Sequence, residues 1–195
     1  MPGTATIGMP VELRNSSGSE LGTTSAPLQS TVGGVSKQIQ VNFTRPSDTT
    51  AYASGDVVCN STSAPVIMTF TNCARVSGGT GILIGGALMS SANVATKLSG
   101  ELWIFTATVS MDNDNAVFTP TDTEMATLVG VIPFTTWYVG DATSGAGGNA
   151  WSDASSISFP YTCATTSLYG ILIARNAYVP VSAEVFTSTL RLLLD

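Results

Sequence analysis

The chain has 195 residues, and the 44 % that are hydrophobic suffice for one domain with a substantial core. Only 10 % are charged, against roughly 25 % in an average soluble domain, so uncharged polar residues must form most of the surface. The formal net charge of −6, with seven Lys and Arg, argues against binding to nucleic acid or to an anionic membrane surface, because few cations can pair with phosphates.

The chain contains no histidine, which is the commonest general base and the commonest metal ligand. Cys59, Cys73 and Cys163 have no paired spacing, so we predict small buried side chains, with redox or metal roles as the alternatives. No apolar run reaches the ~20 residues of a membrane-spanning helix, and the N-terminus lacks the segments of a signal peptide. We therefore expect a protein that folds in the cytosol. Because histidine is absent and the cysteines have no paired spacing, we also expect no catalytic, cofactor-binding or metal-binding residues.

Residues 1–35 are rich in Gly, Ser, Thr and Pro and show neither a helical nor a strand period. One interpretation is a disordered tail, and the other is an extended arm that becomes ordered when it is laid on a partner. In the second case, spaced apolar residues are the candidate contacts with a partner or another subunit: Ile7, Val11, Leu13, Leu21, Leu28 and Val32. We predict an arm at 1–35 and a folded domain at 36–195.

The folded domain is predicted to open with a half-buried strand after Lys37, since apolar and polar residues alternate there. The core-facing positions are Ile39, Val41 and Phe43. Pro46 ends the strand, because proline cannot donate a hydrogen bond to a sheet. In the following loop Tyr52 is the expected packing anchor, and Gly55-Asp56 is a turn signal before the next short strand.

Further strands are predicted at 66–76, 82–90, 101–111, 131–139, 157–161, 168–174 and 183–193. Gly85-Gly86 predicts a break or a bulge in the second of these. The 101–111 strand has apolar residues on both faces, so we expect it to be central or covered. One short helix is predicted within 119–129, capped either by Thr119 or by a Thr121–Glu124 capping box. Residues 140–150 are predicted to form a flexible loop.

The number and spacing of these segments indicate the fold class. Eight or nine short strands, one short helix and short to moderate turns predict an all-β antiparallel sandwich. Among sandwich topologies we expect a jelly roll.

Two stretches invite a ligand-binding interpretation, but turns explain both better. The acidic stretch MDNDNAVFTPTDTE at 111–124 would need oxygen ligands and a glycine at fixed positions of a calcium loop, where Ala116 and Val117 stand instead. The glycine-rich GGTGILIGG at 78–86 is followed by an apolar run rather than by a capped helix, so it indicates a hairpin turn and not a phosphate-binding loop.

Three stretches form a recognisable set: VNFTRPSDTTAYASGDVV at 41–58, ATKLSGELWIFTATVSMDNDNAVFTPTDTEMATLVGVIPF at 95–134 and SLYGILIARNAYVPVSAEVFTSTLRLLLD at 167–195. The most specific pieces are TRPSDTTAY-x-x-GDV and DN-x-x-F-x-x-x-D-x-x-x-x-x-LVGVI. Together they resemble a group of tailed-bacteriophage virion structural proteins. The resemblance covers residues 37–195 and leaves the first 35 residues unmatched.

Some members of that group are capsid cement or decoration proteins with a jelly-roll core. The resemblance therefore implies a protein on the outer capsid surface of the virion that stabilises the head by bridging neighbouring capsomers, after synthesis in the host bacterial cytoplasm. The implied partners are the major capsid protein and the protein itself, as a homotrimer or homodimer, with the trimer favoured. The apolar residues of the arm would contact the capsid or a neighbouring subunit. The group implies no catalytic residues and no cofactor.

Two other functions remain open. The protein is alternatively another virion component, such as a tail, neck or fibre-head protein, whose jelly roll binds a receptor or a glycan. Trp137, Tyr138 and Trp151 are then candidate contacts, although packing at the end of the sandwich or in a subunit interface would also explain them. An enzyme, most plausibly a carbohydrate-active one, would need a pair of acids that nothing in the sequence singles out.

Overall fold

The computed structural model describes residues 35–195, which form ten β-strands and one short helix. The strands are β1 Val35–Thr44, β2 Val57–Val58, β3 Met68–Phe70, β4 Thr80–Ser90, β5 Gly100–Phe105, β6 Leu128–Phe134, β7 Trp137–Asp141, β8 Asn149–Thr162, β9 Leu168–Ala174 and β10 Val185–Leu194. The helix α1 spans Asp122–Met125. No helix in this part of the chain is long and apolar enough to cross a bilayer.

The strands form two sheets. The first sheet has the order β1-β10-β4-β8-β7, and the second has the order β2-β9-β5-β6, with β3 also paired to β9. Every pair of neighbouring strands is antiparallel. The all-β antiparallel sandwich predicted from the spacing of strands and turns is therefore confirmed.

The strand pairs are nested along the chain. β1 pairs with β10, β2 and β3 pair with β9, β4 pairs with β8, and β5 pairs with β6. Because of this nesting the chain passes repeatedly from one sheet to the other, and the last strand, β10, lies between β1 and β4. Most of the contacts that define the sheets therefore join residues far apart in the sequence.

The main core lies between the two sheets, and burial of its apolar side chains supplies the main driving force for folding. Its fully buried members include Phe70, Leu88, Leu102, Ile104, Phe134 and Phe186. The predicted alternation in β1 is confirmed: Ile39, Val41 and Phe43 pack against this core and are partly buried. The intervening residues of β1 are exposed.

A second, smaller core lies on the opposite face of β5. Phe105 belongs to it, and Trp103 packs against it, together with residues of the segment between β5 and β6. Phe118 from that segment meets Trp103 edge to face, with ring centroids 5.8 Å apart and planes at 80°. The prediction that the strand with two apolar faces is central or covered is confirmed, because β5 lies between β9 and β6 and is also covered.

Two predicted strands are shorter than their sequence patterns indicated. The 66–76 run forms a strand only over Met68–Phe70, because Asn72 has a left-handed backbone with φ 59° that takes the chain out of the sheet. The 101–111 run ends at Phe105, and its remaining residues belong to the segment that covers the second core. Beyond these strands, Cys73 and Ala74 are buried in the main core and Val109 in the second core, whereas Val66 and Val76 are exposed.

Other predictions on β4 and α1 are confirmed in more detail. The register of β4 against β8 shifts between Leu83 and Gly85, which is the bulge predicted from its glycine pair. Thr121 caps α1, and Thr121 and Glu124 form the predicted capping box, so the alternative cap at Thr119 is wrong. The helix has only four residues, in agreement with the prediction of one short helix within 119–129.

The region around β8 departs from the prediction. The predicted strand at 157–161 is only the last part of β8, which begins at Asn149. The predicted loop at 140–150 is reduced to residues 142–148, because β7 continues to Asp141 and pairs with the start of β8. Because the segment is rich in glycine, its sequence did not indicate that β7 extends to Asp141 or that β8 begins at Asn149.

Candidate binding site

A buried ion pair lies just beyond β1. The side chain of Arg45 is fully buried and donates from Nη2 to Asp114 Oδ2 at 2.9 Å. The Tyr52 hydroxyl donates to Asp114 Oδ1 at 2.7 Å, and Arg45 Nε donates to that hydroxyl. The backbone N–H of Cys59 also donates to Asp114 Oδ1, at 2.8 Å. Burial raises the pKa of Tyr52 far above its usual range, so the phenol stays protonated.

A second group of polar side chains adjoins this pair. The Tyr178 hydroxyl lies 2.6 Å from Glu184 Oε1, and Ser90 donates to the same oxygen at 2.5 Å. Burial, followed by the charge of Glu184, raises the pKa of Tyr178 well above its usual range. The rings of Tyr52 and Tyr178 are stacked, with centroids 6.3 Å apart. The backbone N–H of Arg45 donates to the backbone carbonyl of Glu184 at 2.9 Å, which connects the two groups.

We refer to Arg45, Tyr52, Asp114, Tyr178 and Glu184 together as the buried polar network. Asp114 is its most exposed member, at 6 %. A dissolved substrate therefore cannot reach these groups, although ionisable residues at such density often mark an active site. The residues of the network lie on several loops, so the hydrogen bonds between them fix these loops relative to one another. Sequence reasoning found Tyr52 as a packing anchor but missed the ion pair, because nothing local links Arg45 to Asp114.

The cysteines are unreactive side chains of the core. All three are unpaired and buried, as predicted. Burial raises the pKa of Cys59 to about 11 and that of Cys73 to about 12, and it also raises the pKa of Cys163. Since the thiolate is the nucleophile, these thiols are poor nucleophiles at neutral pH.

The carboxylates of the acidic stretch at 111–124 accept hydrogen bonds from other residues of the protein. Asp112 accepts a hydrogen bond from the Thr119 N–H at 2.7 Å, and Asp114 belongs to the buried polar network. Glu124 accepts from the N–H groups of Ser110 and Thr121 at 2.6 and 2.8 Å. Within residues 35–195 no group of three or more acidic, Cys or His side chains is arranged to hold a metal ion.

The three aromatic residues named as candidate glycan contacts do not all lie on the same face of the first sheet. Trp137 packs against the main core and donates from Nε1 to the Leu98 carbonyl at 2.6 Å. Tyr138 and Trp151 are directly opposite each other in the register of β7 and β8, so both side chains lie on the outer face of the first sheet. Tyr138 is 63 % exposed and Trp151 is partly buried.

Polar side chains continue this outer face along β8. Asn149 and Asp153 lie two residues on either side of Trp151 and therefore project from the same face. Arg191 of β10 donates from Nη2 to Asp153 Oδ1 at 2.5 Å. We refer to these outer-face side chains as the aromatic platform: Tyr138, Asn149, Trp151, Asp153 and Arg191.

A cleft lies at the opposite edge of the first sheet, between β1 and the segment that enters β3. Its apolar lining includes Val41 and Phe43 of β1, with Val66 and Met68 from the facing segment. Val66 is 66 % exposed and is held there by its backbone N–H, which donates to Asn60 Oδ1 at 2.8 Å. β1 begins at Val35, so the predicted arm joins the described domain at this edge.

The predicted contact residues of the arm lie outside the described residues: Ile7, Val11, Leu13, Leu21, Leu28 and Val32. In comparisons with known proteins, no family model, no curated protein and no solved structure matches the chain.

Proposed function

We propose that the protein is a bacteriophage capsid cement or decoration protein, which binds the outside of the major capsid lattice and bridges neighbouring capsomers. The buried polar network carries this proposal. The most deeply buried ionisable groups of the described domain form ion pairs and hydrogen bonds within this network, which supports a rigid surface rather than a reactive centre. The low charged fraction leaves that surface mostly neutral and suited to close packing against other proteins.

We further infer that the sandwich is a jelly roll. The nested pairs are those of a long hairpin rolled onto itself, with β1-β10-β4-β8 in one sheet and β2-β9-β5-β6 in the other. In this interpretation β7 is an additional edge strand and β3 is a continuation of the β2 segment. A closed, stiff fold of this kind is compatible with a protein that must resist deformation of a shell.

In this proposal the capsid contact lies at the β1 edge. The cleft between β1 and Val66 exposes apolar side chains there, and the segment 1–34 is joined to the same strand. Stable protein interfaces bury about 800 Å² per partner, which a cleft and an arm supply better together than separately. Several copies assembled as a homotrimer or homodimer would add avidity on a repeating lattice.

The proposal is tested by locating the protein in purified phage particles. Antibody labelling seen by electron microscopy should decorate the outer surface of the head, and the protein should remain with heads after tails are removed. Heads that lack it should lose DNA at a lower temperature than complete heads. Labelling confined to the tail, or absence of the protein from particles, would refute a cement function.

A second candidate is another virion component, such as a tail, neck or fibre-head protein, that binds a receptor or a glycan. The pairing of Tyr138 with Trp151 on an open face favours it. The same labelling experiment separates the two candidates, because this function predicts label at the tail, neck or fibre.

A further inference from the structure

Two aromatic side chains form the apolar centre of the aromatic platform. Opposed residues on paired antiparallel strands have Cβ atoms roughly 5 Å apart, so Tyr138 and Trp151 stand side by side on the outer face. Met89 opposes Trp151 from β4 and extends the same row by one apolar side chain. Because Tyr138 lies on an edge strand and is largely exposed, a ligand can approach this row from solvent.

Polar groups with defined positions border the aromatic pair. Arg191 donates to Asp153 Oδ1 and so holds that carboxylate on one side of Trp151. Asn149 lies on the other side of Trp151 along the same strand and offers two amide donors and an acceptor. The platform therefore combines a small apolar centre with hydrogen-bonding groups on both sides.

We propose that the aromatic platform binds a neutral hexopyranose unit of a glycan. One face of a pyranose ring carries mainly C–H groups and can stack on an aromatic side chain, while its hydroxyl groups point outward from the rim. Those hydroxyls can donate to the Asp153 carboxylate and exchange hydrogen bonds with the Asn149 amide. Asp153 is paired with Arg191, and Asp141, which lies opposite Asn149 in the register of β7 and β8, adds a negative charge, so the site favours a neutral sugar over an acidic one.

The size of the apolar centre argues for a sugar rather than for a protein partner. A standard protein interface buries about 800 Å² on each side around a contiguous apolar core. Here the apolar row consists of Tyr138, Trp151 and Met89, and polar residues follow immediately along β8 in both directions. A single pyranose ring, apolar on one face and surrounded by hydroxyl groups, matches an apolar row that has polar residues on both sides.

Gly140 has a specific part in this arrangement. A Cβ atom at this position would overlap Asn149 Oδ1, so the amide can keep its place above β7 only beside a glycine. Gly140 is thus a positioning residue, since it acts on the ligand through Asn149. A larger residue would have to displace the amide from the platform.

The glycan site is compatible with the proposed cement function and does not depend on it. β7 and β1 are the two edges of the first sheet, separated by four strand spacings or about 19 Å. A protein attached through its β1 edge would still present its β7 edge to solvent. Glycan binding by the isolated protein can therefore be measured whether or not the protein binds capsids.

Native gel electrophoresis of the full chain through gels containing dextran, yeast mannan or galactan tests the proposal directly. We expect at least one of these neutral hexose polymers to retard the wild-type protein, and polygalacturonate not to do so. Tyr138→Ala and Trp151→Ala should each weaken the binding by about tenfold or more, because each removes a stacking ring. Gly140→Ala should weaken it to a smaller extent by displacing Asn149.

Val139→Ala is the matched control, since Val139 is exposed on the same strand but projects from its other face. Thermal unfolding of each variant establishes that the platform changes leave the sandwich folded, and binding is compared only among folded variants. If each single substitution has only a small effect, the double variant Tyr138→Ala/Trp151→Ala is compared with wild type, because it removes both rings. Absence of retardation by all three neutral polymers, or equal retardation of wild type and double variant, would overturn the proposal.

Discussion

At the scale of single residues, Asp114 joins segments that are distant in the sequence. Its carboxylate binds Arg45, the Tyr52 hydroxyl and the Cys59 N–H, all of them buried. A buried ion pair adds little stability over a well-packed apolar pair, because both charges lose their hydration. Removing one partner is far more costly, since the remaining charge is then buried without compensation.

Asp114→Asn should therefore destabilise the protein by about 3–5 kcal/mol. The change preserves the shape of the side chain and removes its charge, so the loss reports the pairing with Arg45. Urea unfolding followed by tryptophan fluorescence measures the difference in the free energy of unfolding.

Asp48→Asn is the control for this experiment. Asp48 lies 3.6 Å from the same guanidinium, but its side chain is 36 % exposed, and exposed pairs contribute about 0–1 kcal/mol. Equal effects of the two substitutions would show that burial does not determine the strength of the interaction.

At the scale of elements, the capping box of α1 also connects two segments. Glu124 closes the box with Thr121 and, through its other oxygen, accepts a hydrogen bond from the Ser110 N–H. A helix of four residues has too few internal hydrogen bonds to be stable alone, so these end contacts determine whether it forms. Hydrogen bonds from Ser110 and then Thr121 lower the pKa of Glu124 to about 2.

The pKa of Glu124 predicts a specific pH dependence. Because its folded pKa of about 2 is below the ordinary value of 4.5, ionised Glu124 stabilises the fold above pH 4.5. That contribution is lost as the pH falls from 4.5 to about 2. Wild type should thus have a higher thermal unfolding midpoint than Glu124→Gln at pH 7, and the difference should shrink across this window. A difference that stays constant down to pH 2 would contradict the ionised capping box.

The elements also indicate which features a sequence can predict. The alternation in β1, the bulge of β4 and the Thr121–Glu124 box depend on neighbours within a few residues, and all were predictable. The pairing of Arg45 with Asp114 depends on the fold bringing distant loops together, and no local pattern contains it. The pairing of Tyr138 with Trp151 depends on where β8 begins, and the glycine-rich composition before it gave no signal for that start.

At the scale of the whole molecule, the first sheet has two edges with different surroundings. β1 carries the apolar cleft and the junction with residues 1–34, whereas β7 contributes Tyr138 to the aromatic platform. Within residues 35–195, buried apolar side chains form two cores, one between the sheets and one on the outer face of β5. The described domain therefore contains its own hydrophobic core.

Under the proposed cement function, deleting residues 1–34 should leave the domain folded and weaken its binding to heads that lack the protein by at least about tenfold, because in that proposal the arm supplies part of the interface and its avidity. Sedimentation with purified heads measures binding, and near-ultraviolet circular dichroism measures folding. A full-length variant with serine at the six apolar arm positions distinguishes loss of contacts from loss of length. Undiminished capsid binding by the truncated protein would refute the arm contact.

The position of β10 between β1 and β4 also affects how the protein is made. Gln40 and Thr189, which meet across β1 and β10, are 149 positions apart. Ribosomes add about 5–20 residues per second, so β1 waits on the order of 10 s for its neighbour. During that time its strand edge and apolar face are open to other nascent chains, and sheets built from such distant pairs also fold slowly. A chain in which only 10 % of the residues are charged therefore depends on chaperones or on dilution until β10 has emerged.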